Sequence, residues 1–160
     1  LAQFEVKKLK LGIVRRRKEI LVRLYERDFF HIGSYLLKDN GRNVLGVVSN
    51  LLRPHQDKII LRVEGHSDSL PVNPLSPYKT NLNLSSLRAS QAANVLIDNG
   101  LYENKIRVLG FGSANRIVND RLPASEGGKY LPKMGLKNRR IEIRIQTLDE
   151  NADKFVNVGE

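Results

Sequence analysis

KIILRVEGHSD, Lys58 to Asp68, is the stretch whose reading decides the fold. Ile59, Ile60, Leu61 and Val63 form a nearly continuous apolar run, the pattern of a strand buried on both faces. Gly65 ends the strand, and the polar string Gly65-His66-Ser67-Asp68 follows it directly. Upstream, Ile20, Val22 and Leu24 alternate over Ile20–Tyr25, which predicts a strand with one buried face. A turn region with a short helix is expected over Asp28–Asp39. Asn40 and Gly41 then precede a helix that carries Val44, Leu45, Val48 and Leu51 at helical spacing and stops before Pro54. Downstream, residues 69–83 hold three prolines and three asparagines and read as a loop. Ser85 is the expected N-cap of a second long helix that runs to Asn99, with Gly100 free to take the left-handed closing conformation. Lys105–Leu109 is a third strand, residues 113–137 a long connection, and Arg139–Gln146 a fourth strand in which Ile141, Ile143 and Ile145 alternate with charges. This order predicts an α/β sandwich with the helices on one face of a mixed sheet.

Charge is distributed unevenly. The chain of 160 residues carries a formal +10. Residues 1–18 hold seven basic residues (Lys7, Lys8, Lys10, Arg15, Arg16, Arg17 and Lys18) against one acid, while the rest is only mildly basic. The reading is a basic lead-in over 1–18, helix or coil, then a folded domain over 19–148 and a polar tail over 149–160. A solvated face is the bland account of such a run; an anionic lipid, wall polymer or nucleic acid is the functional one. Aromatics make up 6% of the chain and none is interleaved with the basic residues, so no nucleic-acid partner is expected. No apolar run is long enough to span a bilayer. The chain opens on Leu1, and a targeting or membrane segment is expected upstream of it. With no cysteine, disulfides, thiolate metal sites and a cysteine nucleophile are excluded.

Several constellations could carry chemistry. His66 and Asp68 are two apart and could face one side as metal ligands, but a site needs three or four, and His31 and His55 lie in unrelated contexts. Ser67 between them suggests a hydrolase, yet adjacent triad members cannot reach one another, and no Gly-x-Ser-x-Gly elbow exists. The bland alternative is an aspartate at a strand end beside a turn. Arg88 is expected in the first helical turn, where a cation opposes the helix dipole and hints at a received anion. Arg139 and Arg140 open the last strand, and one of them could buttress a carboxylate. Gly110-Phe111-Gly112 is too incomplete for a dinucleotide fingerprint and reads as a tight turn.

Together these pieces form a pattern. Gly65-His66-Ser67-Asp68, Asn81-x-x-Leu84-Ser85-x-x-Arg88-Ala89, Gly110-x-Gly112 and Asn138-Arg139-Arg140-Ile141-Glu142-Ile143 resemble, in order and spacing, the OmpA-like peptidoglycan-binding domain family. Phe29-Phe30-x-x-Gly33-Ser34 resembles that family's early Phe–Gly segment. The loop between Asp68 and Asn81 is similar to that of the flagellar stator branch. Ser67 stands in place of a threonine, Arg116 in place of a proline, and the 113–137 connection is longer than usual. The resemblance implies a non-catalytic domain without metal or cofactor that binds the diaminopimelate of a peptidoglycan stem peptide. It implies Asp68 and Arg88 as the ligand pair, Asn81, Leu84 and the Gly65–Ser67 backbone as pocket, and Arg139 in support of Asp68. It further implies a periplasmic domain, acting as a homodimer, that anchors an inner-membrane stator unit or another envelope complex to the wall. A wall hydrolase using His66 and Asp68 is the competing reading.

Overall fold

The computed structural model describes residues 11–148. Its elements are β1 (Gly12–Arg16), β2 (Glu19–Tyr25), α1 (Glu26–Phe29), α2 (Asp39–Leu52), β3 (Ile59–His66), α3 (Asn81–Asp98), β4 (Ile106–Gly110), α4 (Pro132–Asn138) and β5 (Arg140–Thr147). The strands form one five-stranded sheet in the order β1-β2-β5-β3-β4. Only β3 and β4 are parallel, joined by the α3 crossover, so the sheet is mixed.

Period-two alternation sorts the sheet into two unlike faces. In register across the centre lie Leu61↔Ile145, Val63↔Ile143 and Gly65↔Ile141 from β3 and β5, with Val22↔Ile143 and Leu24↔Ile141 from β2. These residues form one core with Val44, Leu45 and Val48 of α2 and Ala89, Ala92, Ala93 and Leu96 of α3. Both long helices therefore cover this face. The small alanines let α3 approach closely, and Gly65 permits the tightest point: a Cβ there would overlap the Ser85 carbonyl. Gly100, at φ +100°, closes α3, donating its N–H to the Ile97 carbonyl while Leu101 N–H reaches Leu96.

Four local expectations change. Residues 12–16, expected as helix or coil, pair with β2 as an edge strand. Backbone pairing makes that strand, since most of its side chains stay exposed and leave a weak alternation. The lead-in up to residue 10 and the tail from 149 lie outside the described residues. Second, α3 begins at Asn81, where the Thr80 hydroxyl accepts from Asn83 N–H (3.0 Å), so Ser85 is not the cap. Ser85 is instead buried inside the helix and accepts from Gly112 N–H (3.0 Å), which ties α3 to the end of β4. Third, β3 is not packed in hydrocarbon on both sides. Its second face carries Arg62, Glu64 and His66, and burial there comes from charged neighbours. Fourth, the long connection is ordered by a short 3-10 turn (Ala124–Glu126) and by α4.

Candidate functional site

The site forms where β3 ends, α1 begins and α3 passes beneath them. Asp68 follows β3 by two residues and is 3% exposed. Its Oδ2 accepts from Arg139 Nε at 2.6 Å and from the Tyr130 hydroxyl, and its Oδ1 from Leu70 N–H at 3.2 Å. Arg139 also donates to Tyr130 (2.9 Å), which closes a triangle of three side chains. Burial alone would lower the Arg139 pKa, but the Asp68 hydrogen bond and the Asp68 and Glu26 charges raise it above the ordinary value. Burial and Asp68 raise Tyr130, so its phenol stays a donor.

Arg88 lies two turns into α3, not in its first turn, so the helix-dipole argument does not apply to it. It is 4% exposed. Nη1 and Nη2 grip Glu26 of α1 at 3.0 and 2.8 Å, Nε donates to the Ser34 carbonyl (2.8 Å), and the guanidinium lies 5.7 Å from the Phe30 ring centre. Burial pulls its pKa below the ordinary arginine value despite the Glu26 carboxylate.

Asp68 and Arg88 thus face one cavity of about 240 Å³, each already held by its own counter-charge. Ser67, Asn81, Leu84, Arg139 and Glu26 share its wall with the loop segment Leu70–Asn73. Asn81 fixes that loop by donating to the Leu70 carbonyl (2.9 Å) and more distantly to that of Asp68 (3.4 Å). Gly65 is not in the wall; it belongs to the strand–helix contact. The structure adds Glu26 and Tyr130, which the sequence reading did not single out. Glu26 carries no local signal, being an acid at the end of a strand, and Tyr130 lies 62 residues from Asp68.

The Asn138-Arg139-Arg140 string divides its work by alternation. Asn138 is fully buried and pins the long connection, accepting from Ile117 and Val118 N–H and donating to Asp120. Asp120 in turn accepts from Ser69 N–H at 2.8 Å, which locks the chain next to Asp68. Arg139 turns into the cavity, and Arg140 turns to the opposite sheet face.

His66 is on that opposite face as well. Its Nε2 meets Glu64 at 3.1 Å and its ring stacks on Phe111 at 4.9 Å. His66 and Asp68 share no partner among the described residues, so the His-x-Asp constellation is not assembled. Glu64, His66 and Glu142 place ligand atoms within 4.8 Å of one another. Yet Arg62 and Arg144 hold Glu64, and Arg23, Arg140 and Arg144 hold Glu142. A metal cation there would sit against four guanidinium groups, and the donor set does not suit it.

Comparison with known proteins agrees with this fold. The OmpA family matches over residues 29–129. A probable lipoprotein, YiaD, of Escherichia coli strain K12 is 30% identical over 138 residues, which are 86% of this chain. The chain spans 56% of that relative's length. The periplasmic domain of Helicobacter pylori MotB (its residues 78–256) superposes with a TM-score of 0.74 at 18% identity, over 92% of this chain and 88% of that one. The cell wall anchor of the T6SS from Pseudomonas aeruginosa gives 0.75 at 21% identity, over 91% and 94%.

Proposed function

Because the chain belongs to the OmpA family, we propose that it binds peptidoglycan without cutting it, through the zwitterionic end of an uncrosslinked stem peptide. The observation that carries this reading is the cavity itself: Asp68 and Arg88 open on it from different elements. A diaminopimelate centre presents an ammonium and a carboxylate on one carbon. The ammonium fits the Asp68 carboxylate, which accepts three protein donors and has lone-pair capacity left. The carboxylate fits Arg88, which spends three of its five N–H groups on protein. Charge-assisted hydrogen bonds of this kind are strong and directional. Among the described residues no histidine lines the cavity, and the Ser67 hydroxyl donates to the Asp68 backbone carbonyl (3.4 Å). Those facts favour holding over hydrolysis.

In this reading the domain works in the periplasm as the wall-gripping part of a membrane-anchored protein. A stator-like unit, paired as a homodimer, is the assembly we favour before another envelope anchor, on the resemblance of the loop after Asp68 to that of the stator branch. The test is a pull-down with purified sacculi. Asp68→Asn keeps the shape, and Arg88→Lys keeps the charge opposite Glu26 while losing the guanidinium fork. Each is expected to lower retention at least about tenfold, because breaking one partner of a desolvated charged contact costs roughly 2–5 kcal/mol. Thermal unfolding should stay cooperative. Wild-type retention by both variants would overturn the reading.

A further inference from the structure

Glu26 is the unexplained group in the cavity. It is 8% exposed, carries no catalytic partner, and grips the same guanidinium that the ligand carboxylate must reach. Its bidentate contact takes one N–H each from Nη1 and Nη2, and Ser34 takes Nε. What remains on Arg88 is one N–H on each terminal nitrogen, with the paired, end-on geometry already filled. An incoming carboxylate therefore meets a guanidinium whose charge is already balanced by a neighbouring carboxylate. With Asp68 and Arg139 included, the cavity wall holds two acids and two bases and is formally neutral.

We infer that Glu26 is the specificity-determining residue of this site, the charge that makes the cavity select a zwitterion and refuse an anion. This rests on the binding reading above. A ligand that brings only a carboxylate adds a third negative charge beside Asp68 and Glu26, both of which are themselves buried. A ligand that brings the ammonium as well restores neutrality, and Glu26 and Asp68 both keep lone pairs that can accept from it. Without Glu26 the cavity is a net cation and should accept anions that lack the amine. A merely structural Glu26 would alter stability but not this choice.

The experiment is calorimetry with three muropeptide probes: one with free diaminopimelate, one N-acetylated on its side-chain amine, and one amidated on the adjoining carboxylate. The wild type should bind the free form at least about tenfold more tightly than either blocked form. Glu26→Gln, which keeps the size and one acceptor, should narrow the discrimination against the N-acetylated probe to the part that Asp68 supplies, while keeping that against the amidated one. Glu26→Asp, which keeps the charge, should restore the wild-type order. Equal ratios in wild type and Glu26→Gln overturn the inference, and so does a wild type that takes the N-acetylated probe as well as the free one, whatever the variants do. A wild type that binds none of the three overturns the functional reading, and this inference with it.

Discussion

Two clusters of buried charge sit on this one sheet, and they behave as opposites. On the face away from the helices, Arg144 alone reaches Glu64 (3.0 Å), Glu142 (2.8 Å) and Glu19 (3.3 Å), while Arg23, Arg62 and Arg140 complete the ladder. Each carboxylate oxygen of Glu64 and Glu142 accepts at least one charged or imidazole donor. At the end of β3 the same residue types, Asp68 with Arg139 and Glu26 with Arg88, border an open cavity and leave donors and acceptors over. Burial and pairing are common to both; access is what separates them. A buried ion pair is thus poor evidence of function by itself, and its net contribution to stability is uncertain in sign. Removing one partner, by contrast, reliably costs.

That asymmetry gives the largest expected effect. Glu142→Ala leaves Arg140 buried with its main counter-charge gone and takes one anchor each from Arg23 and Arg144. It should destabilise by about 3–5 kcal/mol in urea titration while the folded fraction keeps its affinity for sacculi. Asp68→Asn should do the reverse, a smaller loss of stability with loss of binding. If both variants lose both properties in parallel, the two clusters are one unit and the comparison fails.

A second break point is acid. Burial would raise the Glu64 pKa, but the hydrogen bonds of His66 and Arg144 and the charges of Arg144 and Arg62 outweigh it and bring it from 4.5 to about 2. A carboxylate depressed on folding contributes stability above its unfolded pKa and loses it as pH falls through the folded value. The contribution, on the order of 3 kcal/mol from the size of that shift, should be intact at neutral pH and drain away between pH 4.5 and about 2. Urea midpoints measured down this range should fall more steeply for the wild type than for Glu64→Gln. Parallel curves would show that the ladder does not hold Glu64 in its charged form.

The sequence made the ladder half legible and the cavity legible only through its motifs. Alternation in Arg139–Gln146 announces a strand with a charged face, but not that the charges pair across three strands, since register is a property of the assembled sheet. The continuous run at Ile59–Val63 suggested hydrocarbon on both sides because Ile60, half-buried among the charges, cannot be told from a core residue by periodicity. Asp68, Arg88 and Arg139 stand out by their spacing. Glu26 and Tyr130 do not, because each meets its partner from 62 residues away in chain, Glu26 at Arg88 and Tyr130 at Asp68. The start of α3 is illegible for a similar reason: composition offers Ser85 as the cap, and only the fold shows that Thr80 caps the helix while Ser85 is taken by Gly112.

That distinction is testable at smaller amplitude. Ser85→Ala should cost about 1–3 kcal/mol, since it leaves the buried Gly112 N–H without an acceptor. Thr80→Ala should cost about 1 kcal/mol as an exposed N-cap loss. The order of the two thermal midpoints is the readout. If Thr80→Ala proves the more damaging, helix capping rather than the strand–helix tie positions Arg88.

The smallest effect is expected at a third charged region, which is neither a ladder nor a cleft. The β1–β2 hairpin turns through Arg17 and Lys18, and Arg15, Arg16, Arg17, Lys18 and Lys58 border one recess at the end of the sheet away from Asp68. Arg16 makes a loose, half-exposed pair with Glu19 at 3.6 Å. Exposed pairs of this kind contribute little, so Arg15→Gln with Arg17→Gln should move stability by no more than about 0.5 kcal/mol. Deleting residues 1–18 outright is a different experiment, because it removes β1 and bares the edge of β2. The double substitution instead isolates charge from structure. Asp68-dependent retention on sacculi should be unchanged, while adhesion to anionic vesicles, measured from 50 to 300 mM salt, should weaken and lose part of its salt dependence. Surface charges act over a Debye length of about 8 Å at physiological ionic strength, so such a contribution must vanish at high salt if it exists at all. Adhesion that survives high salt and the double substitution would mean that the recess binds through its apolar floor, Ile20, Leu52 and Ile59, and that the basic rim is only a solvated edge.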